Sequence, residues 1–263
     1  KQIALVHSII DGIIQDLWEQ AKNSASKVKI NERDARLQTS SKLAAAKTNN
    51  PKEAEIFLVE GDSAAGTIKS NRDPRFQAVL ALRGKVLNVK KSTVEKAIAN
   101  TEISTFFAAL GTGFGDNFDI KKLKYDKIII TADQDVDGLH IRTLILTLIA
   151  EYAPELLLNG HVYFLETPLF VNEMKKGEDV FIYDNAAQEQ FVTKNRNRIK
   201  NVNRNKGLGE LEKEQVITTI LTPETRRLIQ CQVEDMDNFR QLVTIFMSDN
   251  VEARRPYFED DEE

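Results

Sequence analysis

Two short acidic stretches carry the residues best suited to chemistry: Glu60-Gly61-Asp62-Ser63 and Asp133-Gln134-Asp135-Val136-Asp137-Gly138. Each follows an apolar run, EIFLV (Glu55–Val59) in the first case and KIIIT (Lys127–Thr131) with Ala132 in the second. Runs of this length and composition read as buried strands. In open α/β sheets, ligands bind beyond the carboxyl ends of the strands. If the two strands are neighbours, Glu60, Asp133, Asp135 and Asp137 converge on one spot. Carboxylates about 4 Å apart repel by roughly 4 kcal/mol per pair at an effective dielectric near 20. No Lys or Arg lies inside either motif to offset this. A divalent cation would, and an all-oxygen ligand set favours magnesium or manganese. A lone DxD would read as a solvated turn ahead of a helix cap; two acidic clusters, each after a buried strand, point to a metal site.

Other chemistries fit the spacing less well. DxDxDG opens an EF-hand loop, but that loop needs Glu at its twelfth place, where Leu144 stands, and a helix in front, where a strand stands. A strand followed by DxDxV resembles the aspartyl phosphatases of the haloacid-dehalogenase type, which need a further acidic pair after a later strand; the only late acidic run here is Glu259 to Glu263. Gly61 to Gly66 has the GxxxxG skeleton of a P-loop, with Thr67-Ile68 where Lys-Ser/Thr is required. Gly111, Gly113 and Gly115 form GxGxG, which is not a dinucleotide fingerprint.

The elements that must position these residues alternate between strand and helix. Beyond the two strands, the pattern predicts a helix opening at Ser63 to Thr67, helices over 93–99 and 103–110, a helix over 140–152, and a strand over 161–165. Short buried strands alternating with helices indicate a parallel-sheet α/β domain. Before them, 3–18 has helical periodicity and 22–51 reads as a polar connector, with a boundary near Asn50–Pro51. After them come strands at 181–183 and 228–233, a basic loop between, and a helix over 238–247.

With 263 residues, 41% hydrophobic and 29% charged, the chain is globular, and no run is long enough to span a membrane. The start, KQIALVHSIIDG, carries no secretory signal. The single cysteine, Cys231, excludes an internal disulfide and, with only three histidines, a Cys/His zinc site; both fit a reducing cytoplasm. The net charge of −4 argues against nucleic-acid binding, but its distribution does not. Without the last five residues, all acidic, 36 Lys and Arg face 35 Asp and Glu. Lys69 to Lys91 holds seven basic residues against Asp73 alone, and Lys194 to Lys206 holds six against none. Either could track phosphates, or could be a solvated face.

Six ordered blocks complete the pattern: EGDSAAG (60–66), LRGKVLNV (82–89), TADQDVDGLHIRTLILT (131–147), GHVYFLETPLF (160–170), NKGLGEL (205–211) and NVEARRPYF (250–258). In order and spacing they resemble the Toprim half of bacterial type II topoisomerase B subunits, the family that comprises the B subunits of DNA gyrase and the E subunits of topoisomerase IV. The departures are Ala65 for Gly, Ala81 for Pro, Gln134 for Ala and Thr167 for Pro; they leave the acids intact and the subfamily open. The resemblance implies a Toprim fold, a Rossmann-like parallel sheet flanked by helices, over 51–171. A helical lead and linker, matching the end of a transducer, precede it over 1–50, and an α+β tail region follows over 172–263.

By the same resemblance, Glu60 is the catalytic glutamate, a metal ligand and the general acid of religation. Asp133 and Asp135 bind the metal, and Asp137 is the motif's third acid. Arg83 and Lys85 lie near the DNA backbone, with Lys206 as a further DNA contact. Asp62 and Arg83 fall where the family's quinolone pocket touches this half. The implied cofactor is Mg2+, with Mn2+ or Ca2+ able to substitute. The implied reaction is reversible transesterification of double-stranded DNA by a tyrosine, in which metals polarise the phosphate and stabilise the leaving oxygen.

Five tyrosines are present. Tyr125, Tyr152, Tyr163 and Tyr183 sit in strand or helix contexts. Tyr257 follows Arg254-Arg255 but precedes the acidic run, which would repel a phosphate. The family draws its tyrosine from a partner A-type subunit in an A2B2 heterotetramer. ATP would act only through a module that precedes the Toprim half and whose motifs do not occur here. The expectation is therefore a type II topoisomerase cleavage module, inactive alone. The alternatives are a non-catalytic Toprim-like DNA-binding scaffold or an aspartyl phosphotransferase.

Overall fold

The computed structural model describes residues 39 and 41–258. The helical pattern over 3–18, most of the connector and the terminal acidic run lie outside them.

Among the described residues, nine strands form two sheets. The larger contains β1 (Leu43–Ala44), β2 (Glu55–Glu60), β3 (Gln77–Leu82), β4 (Lys127–Thr131), β5 (Val162–Glu166) and β9 (Arg227–Gln230), in the order β1-β3-β2-β4-β5-β9. The four central strands are parallel, with β1 and β9 antiparallel at the edges. The expected parallel core is present, capped by two antiparallel edge strands. The smaller sheet joins β6 (Phe170–Met174), β7 (Val180–Ile182) and β8 (Ile199–Arg204) in the antiparallel order β7-β6-β8.

The central strands read as unbroken apolar runs because both faces are covered. Alternation along β2 divides the core. Ile56 and Leu58 pack with α2 (Val94–Ala99), α3 (Thr101–Leu110), α4 (Val136–Tyr152), α5 (Glu155–Leu158) and α8 (Met236–Met247). Phe57 and Val59 pack on the other face with Ala65 and Ile68 of α1 (Asp62–Asn71), with Leu208 and Leu211, and with Val216 of α7 (Lys213–Val216) and Ile220 just after it. The chain leaves β2, crosses one face through α1 to β3, returns to the far side of β2 as β4, and crosses the opposite face through α4 and α5 to β5. Strand order therefore reverses between β2 and β4, which makes their carboxyl ends the topological switch point where open α/β sheets bind ligands.

Several elements differ from the sequence expectation. β3 follows the turn at Asp73–Phe76 inside the first basic stretch. The stretch after β7 is a helix, α6 (Asn185–Asn195), running into β8, rather than a loop. The last strand ends at Gln230 instead of continuing to 233, and it returns to the main sheet beside β5. The helix expected from 140 begins at Val136, because Asp135 caps it.

Candidate active site

β2 and β4 are paired in register, Val59 opposite Thr131, so Glu60 and the Asp133–Asp137 turn leave adjacent strands at the same end. After Glu60 the chain turns through Gly61, whose φ of +78° lies in the left-handed region that favours glycine, and enters α1 at Asp62. After Thr131 it passes Ala132 and Asp133, and Asp135 becomes the N-cap of α4, its Oδ1 accepting from the Gly138 amide at 2.7 Å. The turn is tight enough that a Cβ on residue 138 would stand 2.0 Å from the Asp133 carbonyl oxygen. Only glycine fits there.

Each acid has a distinct setting. Glu60 is half-buried, and burial first, then the negative charges of Asp133, Asp135 and Asp137, raise its proton affinity; Lys85 acts the other way. Asp133 is also half-buried, and burial raises its pKa, partly offset by the Leu208 amide, which donates to its Oδ1 at 2.7 Å. Asp137 is exposed and held below the usual carboxylate range by the Lys85 ammonium, 2.7 Å away. Asp62 and Arg83 form an exposed pair at 3.0 Å across the ends of β2 and β3. The Arg83 amide also donates to Glu102, which in turn pairs with Lys42.

A cleft of about 310 Å³ opens beside the β4 turn, and its lining includes Asp133, Asp135, Thr167, Arg204, Lys206 and Gly207. Carboxylates and cations thus share one cavity. Lys206 is exposed at its rim. Tyr257 is not among the cleft residues; it packs on Phe246 at 5.1 Å and is 52% exposed. Tyr152 stacks on Phe114, and Tyr125 is buried.

Two supporting contacts carry no local signature in the sequence. The Leu208 amide reaches Asp133 from 75 residues away, out of the NKGLGEL block. Arg142, in α4, donates to the Ala132 and Leu165 carbonyls at 3.0 and 3.3 Å and lies over the Phe164 ring. It ties together the ends of β4 and β5 and holds a cation behind Asp133, while its Nε is buried without a partner.

As a cation site, the donor set is all oxygen; burial first, and neighbouring carboxylates after it, raise the pKa of Glu60 and Asp133. That suits a hard divalent ion. Among the described residues no three acids are gathered closely enough to hold one ion as they stand. Asp135 and Asp137 are the more exposed members.

Two family descriptions match: a Toprim domain over residues 55–167, and the carboxyl terminus of the DNA gyrase B subunit over 197–259. Among curated proteins, the DNA gyrase B subunit of Mycolicibacterium smegmatis is 40% identical over 222 residues, covering 82% of this chain and 33% of that protein. Its Streptococcus pneumoniae counterpart is 41% identical over 227 residues, 83% and 35% of the two chains. That of Halalkalibacterium halodurans is 40% identical over 247 residues, 92% and 38%. The chain spans about a third of the length of these relatives. It belongs to the family of type II topoisomerase B subunits, and carries a Toprim domain followed by a gyrase B carboxyl-terminal segment.

Proposed function

We propose that this chain is the DNA-cleavage and religation module of a type II DNA topoisomerase. It would work on double-stranded DNA with an A-type subunit that supplies the tyrosine, in an A2B2 assembly. One observation carries this: the sheet reverses its strand order between β2 and β4, so Glu60 and the Asp133–Asp137 turn leave adjacent strands at the end where such sheets bind ligands. The family matches and the gyrase B relatives support the same conclusion.

Glu60, Asp133 and Asp135, with Asp137 as the fourth acid, would hold a divalent ion, Mg2+ or in its place Mn2+ or Ca2+. Bound there, it would polarise a phosphodiester oxygen and stabilise the charge on the 3′ leaving oxygen. The rest falls to the protein. The Leu208 amide and Arg142 fix Asp133 and the strand end behind it. Arg204 and Lys206, which line the same cleft as Asp133 and Asp135, would hold the flanking phosphates. Lys85 and Arg83, exposed at the neighbouring strand ends, would extend that contact once they leave Asp137 and Asp62. Glu60, whose proton affinity burial raises, would give a proton to the tyrosine oxygen that leaves as the 3′ oxygen re-forms its bond to phosphorus on religation. The Asp62–Arg83 pair is the proposed drug-contact point. ATP would enter only through a separate module, and the cytoplasm is the expected compartment.

The test is reconstitution with an A-type subunit. Asp135→Asn or Glu60→Gln should lower DNA cleavage by at least about 10²–10³-fold, the scale of losing one charge-stabilising group at a reacting centre, with the melting transition retained. Full cleavage by either variant at ordinary magnesium would sink the proposal.

A further inference from the structure

The small sheet contributes no carboxylate to the acidic site, yet it concentrates positive charge. From Lys194 to Lys206 there are six basic residues and no acid, all six exposed. Lys200 pairs with Glu173; Lys194, Arg196, Arg198, Arg204 and Lys206 form no ion pair among the described residues. The geometry gathers them. Helix α6 is locked onto β6 by a reciprocal buried pair, Gln188 with Asn172, at 2.8 and 2.9 Å. Asn172 lies opposite Val202 and Phe170 opposite Arg204, so Val202 and Arg204 share the sheet face that α6 covers. At the far end, the Lys175 ammonium donates to the Asn197 carbonyl at 3.0 Å and its amide donates to the Arg198 carbonyl, which adds a cation to the 194–198 turn.

β8 connects the two ends. It starts at the basic turn, passes an irregularity at Lys200 and ends at Arg204, two residues before Lys206 of the cleft. Its six residues span about 20 Å at roughly 3.3 Å each. Over that distance duplex DNA presents a continuous row of phosphates. Val202 is the only large hydrophobic exposed on β8, so the strand offers an apolar partner little to bury.

We propose that this sheet and helix α6 form a second duplex-DNA contact, in which Lys194, Arg196 and Arg198 grip the phosphate backbone of the arm leaving the cleft. The contact is independent of sequence, and it rests on the cleft being the DNA site.

The experiment is a salt titration of binding by the full chain to a labelled duplex of about 30 base pairs, long enough to reach past the cleft. It compares the wild type with a Lys194→Gln, Arg196→Gln, Arg198→Gln variant whose melting temperature confirms the fold. Losing three phosphate contacts should flatten the slope of log K against log salt by about 2.7. Between 50 and 200 mM salt the wild type should then lose about 40-fold more affinity than the variant. An unchanged slope overturns the contact. So does an unchanged slope accompanied by lost binding to poly-glutamate, which would assign the surface to an acidic protein. Failure of the cleft reading registers separately, as absence of metal-dependent cleavage in the reconstituted enzyme whatever the slope.

Discussion

Strand β2 begins and ends on a glutamate, and the two ends are built on opposite principles. At the start, Glu55 is buried and fully answered: Arg226 donates to both of its oxygens at 2.5 and 2.6 Å, and Gln77 donates to it at 2.9 Å while also donating to the Leu221 carbonyl at 2.7 Å. The Arg226 guanidinium also lies over the Phe57 ring. At the finish, Glu60 faces three aspartates with only exposed Lys85 to moderate them. One carboxylate is compensated by its neighbours; the other is left among like charges at the strand end. Compensation marks a group that holds the fold, and surplus charge marks a group that waits for a ligand.

The largest effect on that contrast should come from breaking the compensated end. Arg226→Ala would leave Glu55 buried without its counter-charge, which should cost about 3–5 kcal/mol. Urea unfolding would measure it. Replacing both partners with apolar residues of similar volume, Glu55→Leu with Arg226→Met, should restore most of the loss, because the penalty lies in the stranded charge. A cost below about 1 kcal/mol for the single variant, the scale of an exposed pair, would erase the distinction between the two glutamates.

How much of this was legible follows from where the information sits. β2 and β4 announce themselves because double-sided burial makes their interiors apolar without interruption, and the acids are legible because they follow those runs. β8 reads IKNVNR with only Ile199 half-buried, and α6 has no apolar stripe. A small one-sided sheet imposes too little burial to shape its sequence, so both looked like loop. The early start of α4 was hidden because Asp135 serves as cap and candidate ligand at once, while Val136 and Leu139 stay 83% and 57% exposed. The Glu55–Arg226 pair and the Leu208–Asp133 bond join residues 171 and 75 positions apart, and only the fold supplies such contacts.

The uncompensated end should respond to metal and pH. A divalent ion at about 100 times its dissociation constant should stabilise the chain by about 2.7 kcal/mol; calorimetry with Mn2+ would show it, and Glu60→Gln should remove most of it. The pH dependence has a definite sign. Glu60 and Asp133 hold protons more tightly in the folded chain than at their ordinary values of 4.5 and 3.8, so the folded state binds more protons than the unfolded state just above those values. Metal-free stability should therefore fall as pH rises through the upper carboxylate range. Saturating metal should cancel that fall, and a rise with pH in the metal-free chain over that range would contradict the raised proton affinity that burial and neighbouring charge give these two acids.

The smallest effect tests the one cation already at the acidic end. Lys85 and Asp137 are 51% and 70% exposed at their side chains, so their pair is screened by solvent, and Lys85→Met should leave the melting temperature unchanged. The ammonium still occupies Asp137 and lies close enough to Glu60 and Asp135 to feel both charges. Removing it takes away a tethered competitor for those oxygens. Manganese affinity of the chain without DNA should then rise a few-fold, while affinity for duplex DNA falls as a phosphate contact is lost. Opposite changes in two binding constants at constant stability are something a simple surface lysine would not produce. A variant that binds both as the wild type does would reduce Lys85 to a solvated side chain and leave Glu60 and the aspartates to await the ion alone.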